Sequence, residues 1–203
     1  AQRLAKIRKK MKYTIVSCLT NYGVEQIRPF VESINRSGYK GDKLMLVYNV
    51  SNDVIKYLDE NDWSIVQSEE QQHIILQRFR DMYALLHSSR TDVIIWTDVK
   101  DVIFQKDPTD WLNKWMRRDI LAFSECIKLQ NDPWACVNSG TTFPMEWEFG
   151  MKEEISYCAG TIVGDKLYIR DLFLQKYIKK TVQSFKFNHK ISIKFDVDPY
   201  NFF

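Results

Sequence analysis

From Tyr13 to Phe123 the apolar residues of this chain follow two alternating periods. Short, nearly continuous runs (Tyr13 to Leu19, Leu44 to Val47, Trp63 to Val66, Val93 to Trp96, and a fifth between Asp119 and Phe123) have the length of strands buried on both faces. Between them the apolar positions fall three or four apart, as in Ile27, Phe30, Val31 and Ile34, or Ile74, Ile75, Phe79, Met82, Leu85 and Leu86. That spacing predicts helices over Val24 to Arg36, from Ser51-Asn52-Asp53 to about Glu60, over Gln71 to Ser88, and over Asp107 to Arg117 with Pro108 in its first turn. Polar breaks at Thr20-Asn21-Tyr22-Gly23 and Ser37 to Asp42 separate the elements. The strand–helix alternation predicts an α/β fold: a mixed, mainly parallel sheet flanked by helices, with right-handed crossovers.

Beyond Phe123 the pattern is less regular. Trp134 to Gly140 and Tyr157 to Gly164 both end in small residues, and Asn138 is read as part of a turn. Asp165 to Val182 has helical spacing, whereas residues 183–195 follow neither period. A helical look resumes at Pro199 just before Phe203, which is read as a truncated C-terminus.

Composition narrows the classes. The 203 residues are 45% hydrophobic and 27% charged, the balance of one globular domain, taken as residues 11–203. Of 29 Lys and Arg, six lie within residues 1–12, which carry no acid; the body then holds 23 basic against 26 acidic groups. Pervasive basicity is therefore absent, and no nucleic-acid partner is expected. Residues 1–10 are set aside as an artificial extension or a short basic helix, because Met11 runs straight into the first strand. Cys18, Cys126, Cys136 and Cys158 lack CxxC spacing and are expected to be buried free thiols of a reducing compartment. No run of 18 apolar residues and no signal peptide is visible, so stable membrane insertion is not expected and a cytoplasmic location is.

The chemistry concentrates after the fourth apolar run. Thr97, Asp98 and Asp101 follow Val93 to Trp96 directly, and carboxyl ends of strands are where open α/β sheets bind ligands. Two hard-oxygen donors there suit Mg²⁺ or Mn²⁺ holding a diphosphate; the competing reading is a turn-capping Asp98 and a solvated Asp101. No Gly-x-x-x-x-Gly-Lys-Ser/Thr exists, which excludes a Walker-type nucleotide site, and Val99 to Val102 do not supply the Asp-x-Asp-x-Thr of a haloacid-dehalogenase-like phosphatase.

Residues Thr97 to Pro108 resemble the metal-binding loop of GT-A glycosyltransferases, in a branch with an Asp-Val-Arg-Asp-Val-x-Phe-Gln-x-Asp-Pro signature. Tyr157 to Gly164 is similar to that family's small-residue strand beside the donor sugar, and Asp196 to Phe202 to its Asp-Gln-x-x-x-Asn-aromatic segment near the acceptor. The resemblance spans roughly residues 13–203 and is closer to bacterial or large-DNA-virus enzymes than to Golgi transferases, which implies the host cytoplasm if viral. It departs in three places: Lys100 stands where a strict Asp-x-Asp motif has its second acid, Val197 replaces Gln, and no C-terminal His-x-x-Gly ligand precedes Phe203, with His189 the remaining histidine nearby.

The resemblance implies a metal-dependent glycosyltransferase moving a hexose from a UDP-sugar to a glycan or glycoprotein acceptor. A non-catalytic nucleotide-sugar or glycan binding module on the same fold is the competing reading. It further implies Asp98 at ribose and metal, Asp101 at metal, and Thr20, Asn21 and Tyr22 around base and ribose. Tyr22 either stacks on the base or packs the turn. Arg78 (or Arg80) either clamps phosphate or pairs with Asp81 or Glu70. Ala159 and Gly160 either let backbone approach the sugar or serve strand packing. Asp196 and Asp198 are the candidates to orient or deprotonate the acceptor hydroxyl, ahead of Glu153 and Glu154.

Overall fold

The computed structural model describes residues 11–69, 74–116 and 120–174. Strand β1 (Tyr13–Thr20) leads through α1 (Val24–Ser37) to β2 (Asp42–Tyr48), then α2 (Asn52–Glu60), β3 (Ser64–Gln67), α3 (Ile74–Ser88) and β4 (Val93–Thr97). After α4 (Thr109–Trp115) come β5 (Ile120–Lys128), α5 (Pro133–Thr142), α6 (Pro144–Glu148), β6 (Ile155–Asp165) and a short α7 (Lys166–Tyr168). The six strands form one sheet in the order β3-β2-β1-β4-β6-β5. The first four are parallel, whereas β6 is antiparallel to both of its neighbours.

Local chemistry sets the element ends. The Gly23 amide donates to the Gln26 side chain at 2.8 Å, satisfying one donor at the start of α1. Gly38 ends the helix in the left-handed region, φ +79°, where a side chain would be strained. All five residues of β4 are buried. Val93 and Ile95 join a cluster with Ile15, Met45 and the α1 residues Ile27, Phe30 and Ile34. Ile94 and Trp96 join the opposite cluster, with Val16, Leu46 and the α3 residues Phe79, Met82 and Leu86. A strand feeding two cores reads as continuously apolar, which accounts for the pattern at residues 93–96.

Several expectations are corrected. Asn138 lies in helix α5, not a turn: Pro133 occupies the first helical turn, and the Asp132 carboxylate caps it by accepting from the amides of Trp134 and Ala135. Of the helix expected over Asp165 to Val182, the described part is α7 followed by a π-helical turn, Ile169–Leu174, with Asp165 still paired with Val93 as the last residue of β6; residues 175–182 lie outside the described residues. The strand expected over Asp119 to Phe123 runs on to Lys128. All four cysteines are free thiols, but Cys126 is exposed and the other three are only half-buried. Among the described residues no helix is long and apolar enough to cross a membrane.

Candidate active site

The site forms where the sheet reverses its order of growth. Chain order runs outward from β1 to β2 and β3, then returns to β4 on the other side of β1. The crevice at the carboxyl ends of β1 and β4 is therefore a topological switch point. Asp98 is the first residue beyond β4, and its amide donates to the Gly160 carbonyl at 2.7 Å, extending the β4–β6 ladder one step past Thr97 and Thr161. Its Oδ1 accepts from Arg78 Nη1 at 3.0 Å. Arg78 is largely covered, 14% exposed, while the Asp98 side chain is 37% exposed. The Arg78 guanidinium lies 4.9 Å from the Phe79 ring centre and 5.6 Å from that of Trp96, and these two rings stack at 5.4 Å. An arginine supported by two aromatic faces and one carboxylate is a fixed cation at the end of the sheet.

Gly160 meets this pair from β6. A Cβ added there would stand 2.9 Å from Asp98 Oδ2, so the absence of a side chain makes room for the carboxylate. Ala159 precedes it on the same strand. Asp101 is exposed on the bend that follows.

Just beyond the ends of β1 and β2, Asn21 and Asn49 both adopt left-handed backbone, φ +55° and +46°. The Asn49 side chain donates through Nδ2 to Asn21 Oδ1. Asn21 Nδ2 in turn donates to Thr20 Oγ1 at 3.1 Å. Thr20 and Tyr48 are register partners, so these polar groups form one rim across the ends of β1 and β2. Tyr22 is half-buried and packs against the first core cluster.

Sequence reasoning missed two residues here. Asn49 carried a signal, since an asparagine ending an apolar run is a common left-handed turn residue. Cys18 carried none. It lies within reach of Arg78 and Asp98, and burial pushes its thiol up to about 11 against the lowering influence of Arg78. It is therefore a thiol rather than a nucleophilic thiolate at neutral pH.

The structure brings together Thr20, Asn21, Arg78, Asp98 and Gly160 at the carboxyl edge, and separates the two arginines. Arg80 pairs with Asp81 at 3.1 Å, whereas Arg78 turns to Asp98. Glu153 is taken up by Lys128 and Gln130 on the surface. Asp196, Asp198 and His189 lie outside the described residues.

Asp98 and Asp101 supply oxygen donors, the ligand type that hard divalent cations take. Asp98 retains a partly exposed carboxylate, Asp101 is exposed, and both are oxygen ligands. Among the described residues no three His, Cys, Asp or Glu converge to hold a metal by themselves.

No family model matches the chain, and no curated protein sequence does. Solved structures do. The apo form of the glycosyltransferase GlyE from Streptococcus pneumoniae TIGR4 superposes with a TM-score of 0.57 at 16% identity, over 94% of this chain and 42% of GlyE. The galactosyltransferase LgtC, in complex with donor and acceptor sugar analogues, superposes with a TM-score of 0.54 at 12% identity, over 85% of this chain and 65% of LgtC. An active-site mutant of LgtC gives 0.54 at 14% identity, over 93% and 69%. The chain thus spans about two fifths of the length of GlyE. At these identities the likeness establishes the fold alone, a mixed, mainly parallel α/β sheet shared with these solved structures.

Proposed function

We propose that this protein is a metal-dependent glycosyltransferase that moves a hexose from a UDP-sugar to a glycan or glycoprotein acceptor. The observation that carries the reading is Asp98 at the carboxyl end of β4, held between Arg78 and the Gly160 backbone on a fold shared with glycosyltransferases. Asp98 and Asp101 would hold Mn²⁺ or Mg²⁺, which when bound supplies Lewis-acid neutralisation of the departing diphosphate.

The chain's own residues divide the remaining work. Arg78 balances the charge of Asp98 and offers a fixed cation to an anionic donor. Thr20 and Asn21 present hydroxyl and amide groups for base and ribose, with the Tyr22 ring beside them. Gly160, with Ala159 before it, lets the donor sugar approach the β6 backbone. Asp196 and Asp198 remain the candidates to orient or deprotonate the acceptor hydroxyl.

Thermal melts with UDP, GDP, CDP and ADP, each with and without Mn²⁺, test this reading. At about 100 times its Kd a ligand stabilises by ~2.7 kcal/mol, or roughly 5–10 °C for a domain of this size. A shift is expected with UDP when Mn²⁺ is present, and Asp101→Ala is expected to abolish the metal-dependent part while leaving the unliganded melt unchanged. A flat panel overturns the reading. UDP binding without hydrolysis or transfer from any UDP-sugar selects the binding module.

A further inference from the structure

Between β4 and α4, residues 98–108 run through bends in neither helix nor strand, yet they carry both candidate metal ligands. At the near end the Asp98 amide is tied to Gly160. At the far end Asp107 only caps its own helix, accepting from the Thr109 amide at 2.9 Å. Among the described residues, one hydrogen bond ties residues 99–107 to another element: the Phe104 amide donates to Ser33 Oγ at 3.0 Å, across 71 positions of sequence.

Ser33 is an unusual residue for its place. It is 1% exposed, on the core face of α1 beside Phe30 and Ile34, where an apolar side chain would pack without a desolvation penalty. Its hydroxyl donates back to the Phe30 carbonyl at 2.7 Å, which fixes the rotamer and turns an acceptor lone pair toward Phe104. The Phe104 ring meets Phe30 edge-on at 6.1 Å. Val99 is buried in the same cluster, and Val102 packs against it. Asp101 therefore lies between two apolar anchors, and its exposed carboxylate is presented by a bend closed on the far side by Ser33.

We infer that Ser33 is a positioning residue for the metal-binding loop, acting through the Phe104 amide on the presentation of Asp101. This rests on the site reading given above. Loss of a group hydrogen-bonded to a metal ligand itself lowers metal affinity about 10- to 100-fold, and Ser33 acts one step further out, so the lower end of that range bounds its effect.

Calorimetric titration of UDP with and without Mn²⁺ gives the factor by which the metal tightens nucleotide binding, a readout independent of turnover. In Ser33→Ala this factor is expected to fall several-fold, up to about ten-fold, with metal-free UDP affinity unchanged. Ser33→Thr, which keeps the hydroxyl, is expected to restore it. Ile34→Val, which trims the same core face of α1 but leaves both the Ser33–Phe104 bond and the Phe30–Phe104 ring contact, is expected to lower the melting temperature and keep the factor. Should Ser33→Ala fail to fold, Ser33→Cys keeps the volume with a weaker acceptor and is expected to lose the factor likewise. An unchanged factor in folded Ser33→Ala or Ser33→Cys, or an equal loss in Ile34→Val, overturns the inference while the site reading stands. No Mn²⁺ effect in the wild type overturns both.

Discussion

At position 160 the distinction between glycine and alanine bears directly on the site. An alanine methyl would lie 2.9 Å from Asp98 Oδ2, closer than unbonded carbon and oxygen pack. The carboxylate is not free to swing aside, because Oδ1 is held by Arg78 and the Asp98 amide is tied to Gly160 itself. Gly160→Ala must therefore either break the ion pair or push β6 away from β4. The expected result is a modest loss of stability, about 1–3 kcal/mol by the usual cost of overpacking, together with loss of Mn²⁺-dependent UDP binding. Urea unfolding and calorimetry on the same sample check both; unchanged binding would mean that Asp98 does not contact the metal or the nucleotide. The placement of Asp98 and Asp101 just beyond a central strand was legible in the sequence, because it is a local property. The partner of Arg78 was not: choosing between Asp81 and Asp98 requires knowing which way the side chain leaves α3.

Helix α3 shows the same division between local and long-range information. Its apolar positions predicted the helix, but the polar network on its flank depends on tertiary structure. The Asp81 carboxylate accepts from Tyr48 Oη at 2.9 Å, Ser68 Oγ at 3.0 Å, Arg80 Nε at 3.1 Å and Gln77 Nε2 at 3.2 Å. It thereby joins β2, the residue after β3, and α3 beside the candidate nucleotide rim. Burial works to raise the Asp81 carboxyl, but the hydrogen bonds from Tyr48, Arg80, Gln77 and Ser68 outweigh it and hold the pKa below the ordinary aspartate value. A folded-state pKa below the unfolded one contributes stability that is fully present above the unfolded value, near 4, and is lost as pH falls through the folded value. Asp81→Asn is expected to destabilise at pH 7 by about 1–3 kcal/mol, because its amide cannot accept from all four donors. It is also expected to flatten the loss of stability below about pH 4. Urea unfolding of both proteins from pH 7 to pH 3 measures this, and parallel profiles would contradict the role given to Asp81. Helix α5 was missed for a different reason. Ser139, Gly140, Thr141 and Thr142 are poor helix formers, so its spacing is uninformative. Its start was nonetheless written in Asp132-Pro133, the same dipeptide read correctly at Asp107-Pro108.

On the scale of the whole molecule, the strands were legible and the order of the last two was not. A buried run such as Ile162-Val163 shows that a strand is central, but nothing local states that β6 enters antiparallel between β4 and β5. What the alternation along β4 does determine is a sheet with two cores. Ile15 and Ile95 are register partners on one face, while Ile94, paired with Thr14, belongs to the cluster on the other. Ile→Ala at any of the three is expected to destabilise by about 2–5 kcal/mol. Two such changes approach the 5–15 kcal/mol that holds a typical domain together, so all variants are best compared in a stabilising osmolyte. Ile15→Ala and Ile95→Ala empty one shared region, and their double mutant is expected to depart from additivity by about 0.5–3 kcal/mol. Ile15→Ala and Ile94→Ala open cavities on opposite sides of the sheet backbone and are expected to add within about 0.5 kcal/mol. The contrast between the two pairs depends on which face each residue occupies. Strong coupling in the second pair with none in the first would place Ile94 and Ile15 in one core, and the register of β4 on β1 would then be wrong by one residue.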